Sequence, residues 1–192
     1  MKRVIDKALR AHLKTFSALS SDTEFQNRVE NAVNLCINAL RNGGKILFCG
    51  NGGSAADAQH LAAELSGRFY QDREPLFAEA LHVNTSYITA VANDYAYDQI
   101  YSRAIKAKGK EGDVLIGLLT SGNSKNVLNA FTEARKRKMH TIAFTGQSGG
   151  KINDKCNVLF KVPSDDTPRI QEMHILIGHL ICELIEKELF TQ

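Results

Sequence analysis

Apolar residues recur along this chain with two different periods, and the period changes near residue 44. Over residues 4–19, and again from residue 22 to Gly43 and Gly44, apolar positions repeat every three to four residues, as on one face of an amphipathic helix. Ser21 and Glu24 have the spacing of a capping box, which predicts the start of the second helix. Residues 1–42 are therefore predicted to form two helices that pack on the rest of the fold and on other subunits.

Beyond residue 44, short apolar runs typical of strands alternate with helical patterns. The predicted strands cover residues 45–50, 80–84, 114–120, 141–146 and 158–163. Because helical segments separate most of them, the strands should be parallel and buried on both faces. Thr167 and Pro168 mark the start of a long last helix. The pattern predicts one α/β domain over residues 1–192, a three-layer α/β/α sandwich around a five-stranded parallel sheet.

Composition and charge narrow the class of protein. The chain is 43% apolar and 23% charged, as globular proteins are, and its apolar runs are far shorter than the roughly 20 residues of a membrane span. A net charge of +3 without a strong basic cluster argues against nucleic acid. The four cysteines form no C-x-x-C pair, and residues 1–16 lack the apolar core of a secretory signal. We expect a cytoplasmic protein with reduced thiols, no membrane partner and no nucleic-acid partner.

Two loops that follow predicted strands have the composition of ligand-binding loops. Residues 50–54 read G-N-G-G-S and residues 120–124 read T-S-G-N-S, and each loop leads directly into a helix. Glycines allow a ligand to approach the backbone, and free N–H groups at a helix start attract anions. In parallel sheets such loops meet at one edge, so together they predict a phosphate cradle. A tight turn for the first loop and simple N-capping by Ser124 remain the alternatives.

Residues able to do chemistry occur on two of the predicted helices. His60 and Glu64 are four residues apart and share a face of the helix after the first loop. Gln171 and His179 lie in the apolar stripe of the last helix, where they need partners if buried. Such groups supply a base, an acid and a stabilising donor for ketose-aldose interconversion through an enediolate. A surface ion pair and a satisfied core pair are the alternatives.

Taken together, the segments GNGGSAADAQHLAAELSGRF, Asn93-Asp94, GDVLIGLLTSGNSKNV and RIQEMHILIGHLICELIE resemble the sedoheptulose 7-phosphate isomerases within the SIS (sugar isomerase) family. The resemblance covers nearly the whole chain, with motifs in the same order. It implies a flavodoxin-like SIS domain and a homotetramer with active sites between subunits. It also implies conversion of sedoheptulose 7-phosphate into D-glycero-D-manno-heptose 7-phosphate, the first step towards nucleotide-activated heptose for surface polysaccharide.

The resemblance also assigns residues, position by position. It implies a Zn²⁺ ion in each subunit, held by His60, Glu64, Gln171 and His179, with Glu64 and His179 also acting as base and acid. The substrate-binding positions that we predict are Asn51, Gly52, Gly53, Ser54, Glu64, Asn93, Asp94, Thr120, Ser121, Ser124 and Gln171.

The chain departs from the family pattern in its second loop. Leu119 replaces the first serine of the usual S-T-S-G-N-S, which removes one candidate phosphate donor and leaves an isomerase for another sugar phosphate as an alternative. A related branch of the family binds the replication initiator without catalysis, but it lacks the residues corresponding to Glu64 and His179, both present here. A sugar-phosphate sensor would be joined to a DNA-binding domain, for which the sequence has no segment.

Overall fold

A computed structural model describes residues 1–190. The helices are α1 (Lys2–Ser20), α2 (Phe25–Arg41), α3 (Gly53–Ser66), α4 (Thr85–Asp94), α5 (Ile100–Lys108), α6 (Lys125–Lys136) and α7 (Thr167–Phe190). The strands are β1 (Ile46–Gly50), β2 (Ala78–Ala80), β3 (Val114–Leu118), β4 (His140–Thr145) and β5 (Val158–Lys161). The described residues thus follow the alternation that the sequence predicts, with α7 beginning at Thr167 as expected.

All five strands are parallel and hydrogen-bonded in the order β2-β1-β3-β4-β5. This is the flavodoxin-like order, in which the chain reverses its direction of growth between β1 and β3. The predicted α/β/α sandwich is confirmed. Its order places the loops after β1 and β3 side by side at the edge where ligands of such sheets bind.

Two apolar layers cover the sheet, one on each face. Alternate strand residues such as Phe48 and Ile116 pack against α2, α3 and α7, whereas their neighbours Leu47 and Leu115 pack against α5 and α6. The strands β1 and β3 are buried at every position. A strand covered on both faces reads as a continuous apolar run rather than an alternating one, which explains why these strands were recognisable.

Two local predictions are wrong. The sequence predicts the second strand at residues 80–84, but β2 is Ala78–Ala80. Asn84 caps α4 by accepting from the Tyr87 N–H, so the chain has left the sheet by that point. The capping box of Ser21 and Glu24 does not form. The Ser21 hydroxyl donates to the Ser17 carbonyl at the end of α1, and α2 begins only at Phe25.

The helix α1 lies at the periphery and is anchored mainly at the start of α7. Arg169 donates to the Ala8 carbonyl at 2.8 Å, and His12 Nδ1 lies 2.7 Å from Glu172 Oε2. Thr15 and Leu19 are the buried residues of α1. Between residues 1 and 190, no helix has both the length and the apolar character that crossing a membrane requires.

Candidate active site

Three of the predicted metal ligands meet where α3 packs against α7. The ring nitrogens Nε2 of His60 and His179 are 2.9 Å apart, and His60 Nε2 lies 3.2 Å from Glu64 Oε1. One ligand atom from each of the three residues falls within 4.8 Å of the others. We call these residues the His-Glu-His triad. The spacing of His60 and Glu64 on α3 is visible in the sequence, whereas the approach of His179 depends on helix packing.

The chemistry and spacing of the triad fit a zinc ion. Zinc in proteins favours imidazole and carboxylate ligands at about 2.0–2.2 Å, so neighbouring ligand atoms of a tetrahedral site are about 3.4 Å apart. The separations of 2.9 and 3.2 Å are close to that value. Three protein ligands would leave one position for substrate or water, as in catalytic zinc sites. His60 is half-exposed, which leaves the triad open to a ligand.

The His179 imidazole has a defined electrostatic setting. Burial and the neighbouring His60 ring lower the pKa of His179, and the Glu64 carboxylate acts in the opposite direction. The ring of Phe69 is stacked on His179 with centroids 5.5 Å apart and planes inclined by 30°. The neutral imidazole that this environment favours is the form able to bind a metal or accept a proton.

The fourth ligand implied by the resemblance, Gln171, lies elsewhere in this subunit. Its Nε2 is 3.5 Å from Ser54 Oγ, and its amide fills the space above Gly53 at the start of α3. Gln171 and His179 are eight positions apart on the same helix, which corresponds to a rise of about 12 Å. Within one chain Gln171 therefore belongs with the glycine loop. Its role as a zinc ligand stays a prediction.

The glycine loop, residues 50–54, is held on both sides by polar contacts. The Tyr101 hydroxyl donates to the Gly50 carbonyl, and the side chain of Asn51 pairs with that of Asn126 on α6. Ser54 is buried at the start of α3. A cavity of about 210 Å³ lies between this loop and α4; its lining includes Asn51, Gly52, His82, Thr89 and Tyr97. The cavity gives a small ligand access to Asn51 and Gly52 of this loop.

The hydroxyl loop, residues 120–124, lies beside the glycine loop and leads into α6. Ser124 is the N-cap residue of α6, yet its side chain makes no capping hydrogen bond, so simple N-capping is not its role here. Ser121 Oγ accepts from the Asn123 N–H at 3.2 Å. Thr120 is half-buried, and its carbonyl accepts from the Gly146 N–H. Two serine hydroxyls and a helix start are thereby available to an anion.

Leu119 points away from this loop. It is 3% exposed and packs in the core layer with Leu47 and Leu115. Its backbone N–H donates to the Phe144 carbonyl, as a continuation of the sheet. Where the family pattern has a serine, this chain therefore has a core residue, and the apolar Leu119 side chain lies in an apolar layer.

Asn93 and Asp94 end α4, as the polar pair after an apolar helix predicts. Asn93 Nδ2 donates to Asp94 Oδ1 at 2.9 Å, and both residues are exposed. Their part in substrate binding stays a prediction.

Sequence reasoning missed a buried ion pair behind the triad. Glu186 on α7 accepts from the backbone N–H groups of Phe69, Tyr70 and Gln71 and from Arg73 Nε at 2.9 Å. Arg73 also donates to the carbonyls of Glu64, Leu65 and Gly67, which closes the end of α3. Although burial alone would raise the pKa of Glu186, these hydrogen bonds lower it. The sequence does contain a signal for this pair, because Glu186 places a carboxylate four residues after Cys182 on an apolar helix face.

Comparisons with known proteins agree with this geometry. The SIS domain family matches residues 11–146. A phosphoheptose isomerase from Clostridium acetobutylicum is 46% identical over 192 residues, covering 100% of this chain and 98% of its own length. A phosphoheptose isomerase from Nitratiruptor sp. is 51% identical over 183 residues, covering 95% and 97%.

Solved structures give the same result. The phosphoheptose isomerase of Neisseria gonorrhoeae superposes with a TM-score of 0.91 at 42% identity, covering 97% of this chain and 98% of that one. A phosphoheptose isomerase from Francisella tularensis has a TM-score of 0.92 at 36% identity, covering 96% and 97%. With its sheet order, its two loops and its His-Glu-His triad, this chain belongs to the phosphoheptose isomerase family of SIS-domain proteins.

Proposed function

We propose that this chain converts sedoheptulose 7-phosphate into D-glycero-D-manno-heptose 7-phosphate. The observation that carries the proposal is the meeting of Glu64 and His179 with His60 where α3 packs against α7, in a chain about half identical to phosphoheptose isomerases. The ketose and the aldose differ only in the positions of two hydrogen atoms. The reaction therefore needs one group that moves a proton between carbons and others that manage protons on oxygen.

In the proposed reaction Glu64 acts as the base. Its carboxylate takes a proton from C1 of the open-chain ketose, and the electron pair left on carbon forms the C1–C2 double bond of an enediolate. The proton then returns to C2, while the hydrogen on O1 is transferred to O2 and C1 becomes the aldehyde. His179, whose pKa is lowered by burial and by His60, is the group proposed to exchange protons with the oxygens.

His60, Glu64 and His179 would hold the zinc ion. The family implies Gln171 as a further ligand, although within one chain it lies apart from these three residues. When bound, zinc would supply Lewis-acid polarisation of the substrate oxygens. Because a carboxylate held by a metal is a weaker base, zinc would serve chiefly as a Lewis acid while Glu64 acts as the base. The exposure of His60 supports access for the sugar.

The phosphate group is proposed to bind at the hydroxyl loop. Ser121, Ser124 and the first N–H groups of α6 offer neutral donors, and the helix dipole favours a dianion there. The glycine loop with Ser54, and the pair Asn93 and Asp94, are proposed to hold the sugar hydroxyls. The neighbouring positions of the two loops at the β1/β3 edge support this division.

We propose further that the chain assembles as a homotetramer with sites completed between subunits. Its surface supports association: Val4, Ile5, Leu9 and Leu13 form an exposed apolar stripe on α1. A groove of about 670 Å³ between α1, α2 and α7 is lined mostly by apolar side chains such as Phe16, Phe25 and Leu180. Light scattering during size exclusion should give about four times the mass of 21.2 kDa; a monomer would contradict the assembly.

A phosphorylated sugar substrate is consistent with the cytoplasmic location that we expect. The aldose product has a free anomeric carbon, which must be activated before the sugar can be transferred to a polysaccharide. We therefore place the reaction at the start of nucleotide-activated heptose synthesis, as the family resemblance implies.

The test is proton exchange at carbon. Purified protein is incubated with sedoheptulose 7-phosphate in deuterated water, with and without added zinc, and followed by NMR. Deuterium should appear beside the carbonyl together with an aldoheptose phosphate, and chelation should suppress both. A Glu64→Gln preparation is the control for contaminating isomerase.

The remaining hypotheses predict different results. If only a hexose or pentose phosphate exchanges, the isomerase chemistry holds and the substrate is wrong. If none of the sugar phosphates exchanges under either condition, the enzymatic proposal fails and a non-catalytic binding protein becomes the better account.

A further inference from the structure

A pair of asparagine side chains joins the two proposed substrate loops. Asn51 Nδ2 donates to Asn126 Oδ1 at 2.9 Å, and Asn126 Nδ2 donates to Asn51 Oδ1 at 2.8 Å. Asn51 lies in the glycine loop and Asn126 in the first turn of α6, directly after the hydroxyl loop. Asn51 and Asn126 are 75 residues apart in sequence, and their reciprocal amide pair links the two loops.

Both carbonyl oxygens of the pair have a second donor. The Tyr97 hydroxyl donates to Asn51 Oδ1 at 3.0 Å, and the Val127 N–H donates to Asn126 Oδ1 at 2.9 Å. An amide oxygen has two lone pairs, so the acceptor capacity of each side chain is filled. Asn126 is 3% exposed and cannot reach a ligand in solvent. What Asn51 can still offer to a sugar is one side-chain N–H and its backbone.

We propose that Asn126 is a positioning residue, which acts through Asn51 to hold the glycine loop and the hydroxyl loop in one relative arrangement. Asn51 serves substrate binding chiefly as the other half of this link. The inference rests on the proposed function only in so far as the two loops bind the sugar phosphate.

The link can fix the separation of the two loops, which the sheet alone does not fix. The glycine loop leaves β1 and the hydroxyl loop leaves β3, and nothing in a parallel ladder fixes the distance between two loops beyond the strand ends. A sugar phosphate that bridges both loops requires them at a set separation, and misplacement by about 1 Å can cost a hundredfold in rate. A pair of amides that each donate and accept holds both distance and orientation.

The first test needs no substrate. In the wild-type protein, N–H groups of Ser54, Ala55 and Ala56 donate to carbonyls of Asn51 and Gly52 within the glycine loop. Asn126→Ala should accelerate hydrogen exchange of these three amides by about tenfold, because the loop loses its anchor on α6. Asn129→Ala is the matched control on the same helix, since Asn129 donates instead to the Asp98 carbonyl. Exchange in the glycine loop that stays at the wild-type rate in Asn126→Ala would overturn the proposal.

The second test is a double-variant cycle on turnover. We expect Asn126→Ala and Asn51→Ala each to raise KM for the sugar phosphate about tenfold with kcat per folded site lowered less than threefold, and the double variant to do no more. A merely structural role would lower the amount of active enzyme without changing KM. Effects on KM that multiply in the double variant would mean independent contributions and would overturn the link. If the wild-type protein does not turn over, the proposed function fails, and the exchange experiment still decides the role of the pair.

Discussion

Gly178 on α7 lies directly against Leu61 on α3. A Cβ atom added to Gly178 would be 2.6 Å from Cδ2 of Leu61, closer than side-chain atoms pack. Leu61 is 1% exposed and cannot turn away. The missing side chain therefore allows the two helices to approach. One residue further along α7, His179 Nε2 lies 2.9 Å from His60 Nε2. A glycine inside an apolar helix is explained by this contact rather than by a bend.

Gly178→Ala should damage both stability and the triad. The added methyl group must push α7 from α3, at a cost of about 1–3 kcal/mol in the free energy of unfolding. Because the two imidazoles move with their helices, zinc affinity should fall about tenfold. Urea unfolding and chelator competition measure the two effects. Adding Leu61→Val should restore part of both, and a zinc affinity unchanged in Gly178→Ala would show that the contact does not set the triad.

Glu64→Gln should abolish turnover while leaving substrate binding measurable. The amide keeps the size of the side chain but cannot accept a proton from carbon, so a loss of at least about a hundredfold in kcat is expected. Deuterium exchange by NMR gives the rate, and calorimetry with the sugar phosphate gives the affinity. Retained exchange in metal-loaded Glu64→Gln would remove this carboxylate from the role of base.

Arg73→Met should destabilise the fold through the ion pair behind the triad. Both partners are almost completely buried, and removal of the guanidinium leaves the Glu186 charge without its cation and takes a donor from each of three carbonyls near the end of α3. We expect a loss of about 3 kcal/mol in chemical unfolding. The matched control is Lys187→Met, which breaks a solvent-exposed pair with Glu183 and should leave the unfolding midpoint unchanged. If both variants lowered the free energy of unfolding equally, burial of the Arg73–Glu186 pair would not explain its contribution to stability.

His174 should make the protein less stable in mild acid. This side chain is fully buried between Phe144 and the Thr145 carbonyl, and burial lowers its pKa to about 4. Unfolding returns the pKa to about 6.5, so the unfolded chain binds more protons between these values, and stability falls as the pH drops from 6.5 towards 4. When the pH has fallen through this whole range, His174 should have lowered the free energy of unfolding by about 3 kcal/mol.

The variant His174→Gln tests this dependence, because glutamine retains an N–H donor but does not titrate in this range. Urea unfolding at pH 7 and pH 5, at one protein concentration, should show a smaller pH effect in the variant than in the wild type. An identical pH effect in both proteins would assign the acid sensitivity to other groups.

Leu119→Ser restores the family's serine but should not improve phosphate binding. The side chain points into the core layer, so the hydroxyl would be buried without a partner and a cavity would form, at a cost of about 3 kcal/mol. KM for the sugar phosphate should change less than twofold. A clearly lower KM in steady-state kinetics would show that residue 119 faces the phosphate after all.

Much of the fold could be predicted because it depends on local patterns. Buried parallel strands such as β1 and β3 are continuous apolar runs, and the helix face that joins His60 to Glu64 follows from a spacing of four. The error in β2 has a local cause as well: a three-residue edge strand is too short to have a pattern, and the Asn84 cap decides where the chain turns away.

The sequence by itself determined the layers, the two loops and the candidate groups of this protein, because these depend on the order of residue types along the chain. Only the tertiary structure decided that His179 joins His60 and Glu64, that Gln171 lies apart from them, and that Asn51 is paired with Asn126. Each of these relationships joins segments more than 70 residues apart. The distance between His60 and His179 depends on how closely α3 and α7 pack, and Gly178 allows that approach because a Cβ atom there would collide with Leu61.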